Sequence, residues 1–149
     1  LAEFIAGQVM QIIGTAGSSH KPEIGRCAGA WCDDLKTVQV VVSAWQWPKT
    51  VANLRSNSRV ALTFTNPIDY VSYQIKGKAH MREADANEQE RSSRYVVAMT
   101  STLMRLGLTP EMISPWLSAR DAMLIAIEPS SIFIQTPGPT AGSRLWSAA

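Results

Sequence analysis

The chain has 149 residues and a mass of 16.3 kDa, with 46% hydrophobic and 17% charged residues. That composition fits one ordinary globular domain and excludes a disordered segment or a miniprotein held by disulfide or metal staples. Fourteen Lys and Arg against twelve Asp and Glu leave a formal charge of +2, too small to attract nucleic acid or an anionic membrane by net charge.

The chain begins at Leu1 with neither a methionine nor a basic n-region, so a trimmed start and a cytoplasmic location are the default expectations. Val9, Ile12 and Ile13 predict a short strand between Gln8 and Thr15, ended by the turn-forming run Gly17 to Pro22. Ile24 to Trp31 and Thr37 to Trp45 predict a second pair of strands around the polar turn Asp33-Asp34-Leu35-Lys36. Val38, Val40, Val42 and Ala44 share the buried face of the later strand. Pro48, Val51 and Leu54 predict a helix of two turns at most, broken at Asn57-Ser58.

Arg59 to Thr65 is rich in strand formers, Asn66 to Asp69 is a turn, and Tyr70 to Arg82 alternates most regularly. Val71, Tyr73, Ile75, Ala79 and Met81 form one side, with Ser72, Gln74, Lys76, Lys78, His80 and Arg82 opposite. The basic row in that second set is expected on a solvated or subunit-facing surface, and Gly77 marks a bulge or a close backbone approach. Asp85 and Glu88 make a capping box, after which Tyr95, Met99, Leu103 and Leu106 recur at helical spacing as far as Gly107. Thr109-Pro110 starts a second helix that Pro115 ends. Asp121 to Glu128 and Ser131 to Gln135 are the final strands, and residues 136–149 form a Pro-, Gly- and Ser-rich flexible tail. Short antiparallel strands outnumber helices, which predicts a single domain of mainly β structure, a closed or partly closed barrel with helices outside it.

Catalytic signatures are missing. The chain holds no GxSxG, Walker, HExxH or GxGxxG pattern, and its two histidines, His20 and His80, are too few for a three-histidine zinc site. Cys27 and Cys32 stand five apart on one extended stretch, on opposite faces, which disfavours a disulfide between them. Apolar runs such as Val38 to Trp45 fall short of the roughly twenty residues a membrane-spanning helix needs. Any difficult chemistry would therefore belong to a bound cofactor, with the protein supplying position and field.

The segment SAWQWPKTVANLRSNSRVALTF, followed by YVSYQIKGKA, resembles the FMN-binding split-barrel family that includes pyridoxamine 5'-phosphate oxidase. The likeness rests on a hydroxyl residue at a strand end (Ser43), a basic residue opening a short helix (Lys49), Asn57-Ser58-Arg59-Val60 before a strand, and a polar strand Ser72 to Gly77. Upstream, Pro22-Glu23-Ile24-Gly25-Arg26 resembles the family's Pro-then-Arg strand, and QTPGPTAG resembles the tails of small members. The likeness covers roughly residues 9 to 82 and the tail. The chain departs from it where Pro48 replaces one of two adjacent basic residues, and where Trp45-Gln46-Trp47 replaces a small turn.

The resemblance implies a split β-barrel of antiparallel Greek-key type and a homodimer with FMN in a cleft between subunits. It also implies flavin-mediated oxidation or reduction of a small molecule. Arg26 and Lys49 would hold the phosphate, assisted by Ser43 and Thr50; Trp45, Ser72 and Gln74 would line or fix the isoalloxazine ring. No residue is assigned a catalytic role, and no metal, nucleic acid or membrane is expected as a partner. The alternative is a non-catalytic split barrel that binds another ligand, such as haem or a deazaflavin, in the aromatic-lined cleft.

Overall fold

The computed structural model describes residues 1–32 and 34–148. In chain order the elements are α1 (Ala2–Ala6), β1 (Met10–Ala16), β2 (Pro22–Trp31), β3 (Val38–Ser43), α2 (Pro48–Ser56), β4 (Arg59–Thr65) and β5 (Ser72–Glu83). They continue as α3 (Ala86–Arg105), α4 (Pro110–Ile113), β6 (Ala122–Ile134) and β7 (Arg144–Ser147). Asp33, in the turn expected before Lys36, lies outside the described residues.

Six antiparallel strands run β3-β2-β1-β4-β5-β6, and β6 returns to pair with β3, which closes the barrel. The expected mainly-β barrel with external helices is what forms. The two final strands predicted separately are one long strand. Its first half, through Ile127, pairs with β3, while its second half pairs with β7 instead. Residues 144–147, within the expected tail, thus form an added edge strand.

The barrel interior is filled from alternate positions. Ile13, Val38, Val40, Val42, Leu62, Phe64, Ile75, Ile125 and Ile127 are fully buried in one cluster. Strand β3 is buried on both faces, because Val41 packs outside the barrel with Trp31, Ala84 and Leu124. The nine-residue α2 is slightly longer than predicted and turns Val51 and Leu54 into the main core. Its Asn53 and the C-cap residue Asn57 bond Thr15 and the Ala16 carbonyl at the end of β1. Helix α1 is announced by no capping signal in the sequence, yet it buries Ile5 in the same core. Both cysteines are free thiols, and burial pushes Cys27 above its ordinary pKa.

Helix α3 begins with the expected capping box: Asp85 accepts from the Glu88 N–H, and the Glu88 carboxylate accepts from the Asp85 N–H. Glu88 also receives two hydrogen bonds, of 2.8 and 2.7 Å, from the Arg82 guanidinium. Those bonds, before the backbone one, hold the Glu88 carboxyl below its ordinary 4.5. The helix packs on β2 where that strand bulges: Ser92 donates to the Ala28 carbonyl, and Gly29, at φ 119°, lies against Ser92 and Tyr95. No helix among the described residues is long and apolar enough to cross a membrane.

Gly77 occupies both of its predicted settings. The β5–β6 register shifts beside it, and an added Cβ would stand 2.2 Å from the Glu128 carbonyl oxygen. Gly77→Ala is expected to destabilise the protein by about 2 kcal/mol or more in urea denaturation. Gly14→Ala, where the nearest atom would be at 3.6 Å, is expected to stay within about 0.5 kcal/mol. Asp85→Ala should lose about 1 kcal/mol with the cap. Because the folded pKa of Glu88 is depressed, its contribution is complete above about pH 4.5 and is lost as pH falls through the lower folded value. A Glu88→Gln variant should therefore show a shallower fall in stability below that pH than the parent.

Candidate cofactor site

The end of β3 and the start of α2 make a tight corner. Ser43 closes β3 with a fully buried hydroxyl that donates to the Arg120 carbonyl at 2.6 Å and accepts from the Gln46 N–H at 3.2 Å. The chain then turns through Trp45, which the sequence assigns to the strand but which stands beyond it, 54% exposed, beneath the Arg120 guanidinium at 4.8 Å. Trp47 takes the N-cap position of α2 without a side-chain cap, and Pro48 occupies the first turn. The first N–H groups of a helix have no intrahelical partner, so this corner presents donors and the positive end of the helix dipole.

Lys49 and Thr50 sit in that first turn. Lys49 is exposed and makes no ion pair among the described residues. Thr50 is 1% exposed, and its hydroxyl has no hydrogen-bond partner. It presses on Gly25 of β2, where an added Cβ would stand 2.6 Å from the Thr50 Oγ1. The small residue in the family-like Pro-x-x-Gly-Arg run thus lets α2 approach the strand.

Arg26 follows Gly25 and leaves β2 on the outward side. Gly25 pairs with the core residue Ile13, whereas Arg26 pairs with Ile12. The Arg26 guanidinium lies 4.3 Å over the Trp116 ring, and its Nη1 is buried without a hydrogen-bond partner. Burial lowers the Arg26 pKa, opposed by the nearby Tyr95. Trp116 belongs to the loop between α4 and β6, whose Ser114 carbonyl accepts from Gln46 Nε2 at 3.2 Å. The other end of that amide, Oε1, is buried and unpartnered. Arg26, the Ser43–Thr50 corner and the Ser114–Arg120 loop therefore form one neighbourhood.

Ser72 and Gln74 lie elsewhere on the same molecule. Arg26, Ile12, Thr63, Gln74 and Phe133 make one cross-strand row on the outward face, with β1 and β4 between Arg26 and Gln74. Three strand spacings put these two backbones about 14 Å apart. Gln74 donates to Thr63 at 3.1 Å, and the Ser72 hydroxyl lies 2.9 Å from both the Thr65 hydroxyl and the Tyr70 carbonyl. Within one chain Arg26 and the ring-edge candidates are two groups on one face, not a single pocket, and the Thr50 hydroxyl lies on the other side of β2.

A phosphate tests this neighbourhood directly. It is acceptor-only when fully ionised, and the outward side of this neighbourhood holds, among the described residues, a buried Arg26 donor without a partner, an exposed ammonium without a carboxylate, and a helix start. The donor set fits a phosphate monoester. Gln46, Trp116 and Arg120 are the residues that sequence reasoning did not assign to the site. Gln46 was visible only as bulk in the turn, and nothing local to Trp116 or Arg120 points to Arg26 or Ser43, which are distant in the chain.

No family model and no curated protein matches the sequence. Solved structures do match in shape. HupZ of Group A Streptococcus is 18% identical with a TM-score of 0.57 and covers 95% of each chain. The haem storage protein HutZ of Vibrio cholerae is 18% identical with a TM-score of 0.53 and covers 89% of each chain. A putative pyridoxamine 5'-phosphate oxidase of Lactobacillus delbrueckii is 13% identical with a TM-score of 0.52 and covers 83% of each chain. With its six-strand closure, its helical cap and this likeness in shape, the chain has the split-barrel fold of the pyridoxamine 5'-phosphate oxidase-like proteins.

Proposed function

We propose that the protein is an FMN-binding flavoprotein that oxidises or reduces a small organic molecule, working as a homodimer with the cofactor in a cleft between its copies. The observation that carries this reading is the buried, unpartnered Arg26 Nη1 on the outward side of β2, in the neighbourhood that Gln46 and the Ser114–Arg120 loop tie to the start of α2. A buried polar group without a partner is disfavoured, and a phosphate oxygen satisfies such a donor. Arg26 and Lys49 would neutralise the phosphate charge; the Thr50 hydroxyl, buried against the inward side of Gly25, stands across β2 from the Arg26 side chain and is not part of that set. Ser43 acts by holding the corner in shape, because its hydroxyl is already engaged with Arg120 and Gln46. Trp45, exposed at the rim, offers an apolar face for a ring, and Gln74 and Ser72 offer polar groups to its edge from β5. FMN, when bound, supplies hydride transfer. Because Gln74 stands three strands away from Arg26 in one copy, a two-fold partner is the simplest way to bring both sets to one cofactor.

A second reading, a non-catalytic barrel for another ligand, draws on the aromatic content of the same neighbourhood. Trp116 lies on Arg26 and Trp45 under Arg120, so both rings are already engaged with cations. Haem is one such ligand. Neither histidine stands at this corner: His20 is in the β1–β2 turn, and His80 is on β5 beside Glu128.

Added FMN should bind the full chain with quenching of flavin fluorescence. Arg26→Ala/Lys49→Ala should weaken that binding at least about tenfold, the value of one lost charge-assisted bond. Absence of FMN uptake by the parent, with saturable binding of haemin instead, overturns the flavin reading in favour of the second. Ser43→Ala should lower stability by about 1–2 kcal/mol in denaturant melts, since it leaves the Arg120 carbonyl and the Gln46 N–H unpaired.

A further inference from the structure

The outward face of the barrel carries a second polar feature, at the end where the β1–β2 hairpin turns. A groove of about 930 Å³ runs across β2, β1, β4 and β5 there. Its floor is small, since Gly14 and Ala61 are direct cross-strand partners. Ile24, 66% exposed, forms an apolar wall on one side. Arg59, Lys76 and Lys78 stand on the other side.

The placement of these cations is unfavourable for an empty sheet. Arg59 is the direct cross-strand partner of Lys78, and Ala61 of Lys76, so the three charges share one face within two registers. Like charges directly opposite each other on a sheet destabilise it. None of the three forms an ion pair among the described residues. Lys76 has one engagement, 4.8 Å over the Phe133 ring. Glu128, opposite Lys78, is 3.8 Å from His80 instead. Glu23, the carboxylate on the groove lining, belongs to the inward register with Thr15. Among the described residues, then, one carboxylate, Glu128, faces this row across the sheet, and none lies within ion-pair distance of the three cations.

We propose that this groove binds the diphosphate group of an organic anion, with Arg59 and Lys78 clamping one phosphate and Lys76 the other. Neighbouring outward residues of a strand stand about 7 Å apart, which suits two adjacent phosphates better than one. Arg59 offers a planar fork and the lysines point charges. The small floor and Ile24 leave room for the flat or apolar remainder of the molecule. This site uses none of the residues assigned to FMN, and it stands whether or not flavin binds.

Isothermal titration of the full chain with inorganic pyrophosphate tests the proposal, with sulfate titrated at the same ionic strength for comparison. Pyrophosphate should bind saturably and more tightly than sulfate. Arg59→Gln/Lys78→Gln should weaken it at least about tenfold, and Lys36→Gln, in the exposed segment between β2 and β3, should leave it unchanged. All three side chains are exposed, so these variants should fold, which their thermal melts verify. Equal response to sulfate, no saturable binding, or loss in Lys36→Gln with retention in Arg59→Gln/Lys78→Gln would each overturn the assignment. A change of oligomeric state in Arg59→Gln/Lys78→Gln, with pyrophosphate binding unaltered, would also overturn it and give the face to self-association.

Discussion

The pairing of β3 with the first half of β6 is the constraint on which the rest of the structure depends. Six register pairs, from Val38 with Ile127 to Ser43 with Ala122, turn an open sheet into a barrel. The same ladder sets the candidate site, because its last rung places Ser43 beside the loop that precedes β6. The Ala44 N–H then bonds the Asp121 carbonyl, and the Ser43 hydroxyl bonds the Arg120 carbonyl across a separation of 77 residues. The turn into α2 and the loop carrying Trp116 are therefore held together by barrel closure, and each would otherwise be an independent surface segment. Such a long-range pairing carries a loop-closure entropy that the buried valines and isoleucines on both strands offset.

Beyond Ile127, β6 is free of β3 and turns outward to take β7. Pro129 and Gly77 mark the place, since the β5–β6 register shifts there and only a residue without a side chain tolerates the approach to the Glu128 carbonyl. Proline removes one ladder donor at the same point. The change of partner of β6 from β3 to β7 thus coincides with a bulge at these two residues.

Charge is distributed over that face in a way the small net value conceals. Among the described residues Arg26 lies on Trp116 with an unused donor, Lys49 makes no ion pair at a helix start, and Arg59, Lys76 and Lys78 crowd the hairpin end. Of the acidic side chains, Glu23 and Glu128 border the hairpin end, while Glu88 sits at the cap of α3, where it serves Arg82 and the helix start. A protein close to neutral overall can therefore present anion-seeking surfaces through segregation of its charges.

Periodicity made much of this fold legible. The alternation of Tyr70 to Arg82 sorted β5 into its inner and outer faces, Asp85 with Glu88 marked the start of α3, and Gly77 stood out as an interruption. These are local signals, governed by pleat and helix geometry within a few residues. Other features had no local signal. Trp45 falls in a turn because Ser43 is captured by Arg120, β6 is one strand because its two halves find different partners, and Trp116 covers Arg26 because barrel closure brings its loop there. By itself, then, the sequence determined the elements, their buried faces and the residue types able to meet a phosphate. Only the tertiary structure decided that Arg26 and Thr50 keep unused donors on opposite sides of β2, that Ser43 has its hydroxyl occupied, and that Gln74 stands three strands from Arg26. The physical reason is that hydrogen-bond satisfaction and burial depend on which distant segments the barrel brings together, and spacing along the chain carries no record of that.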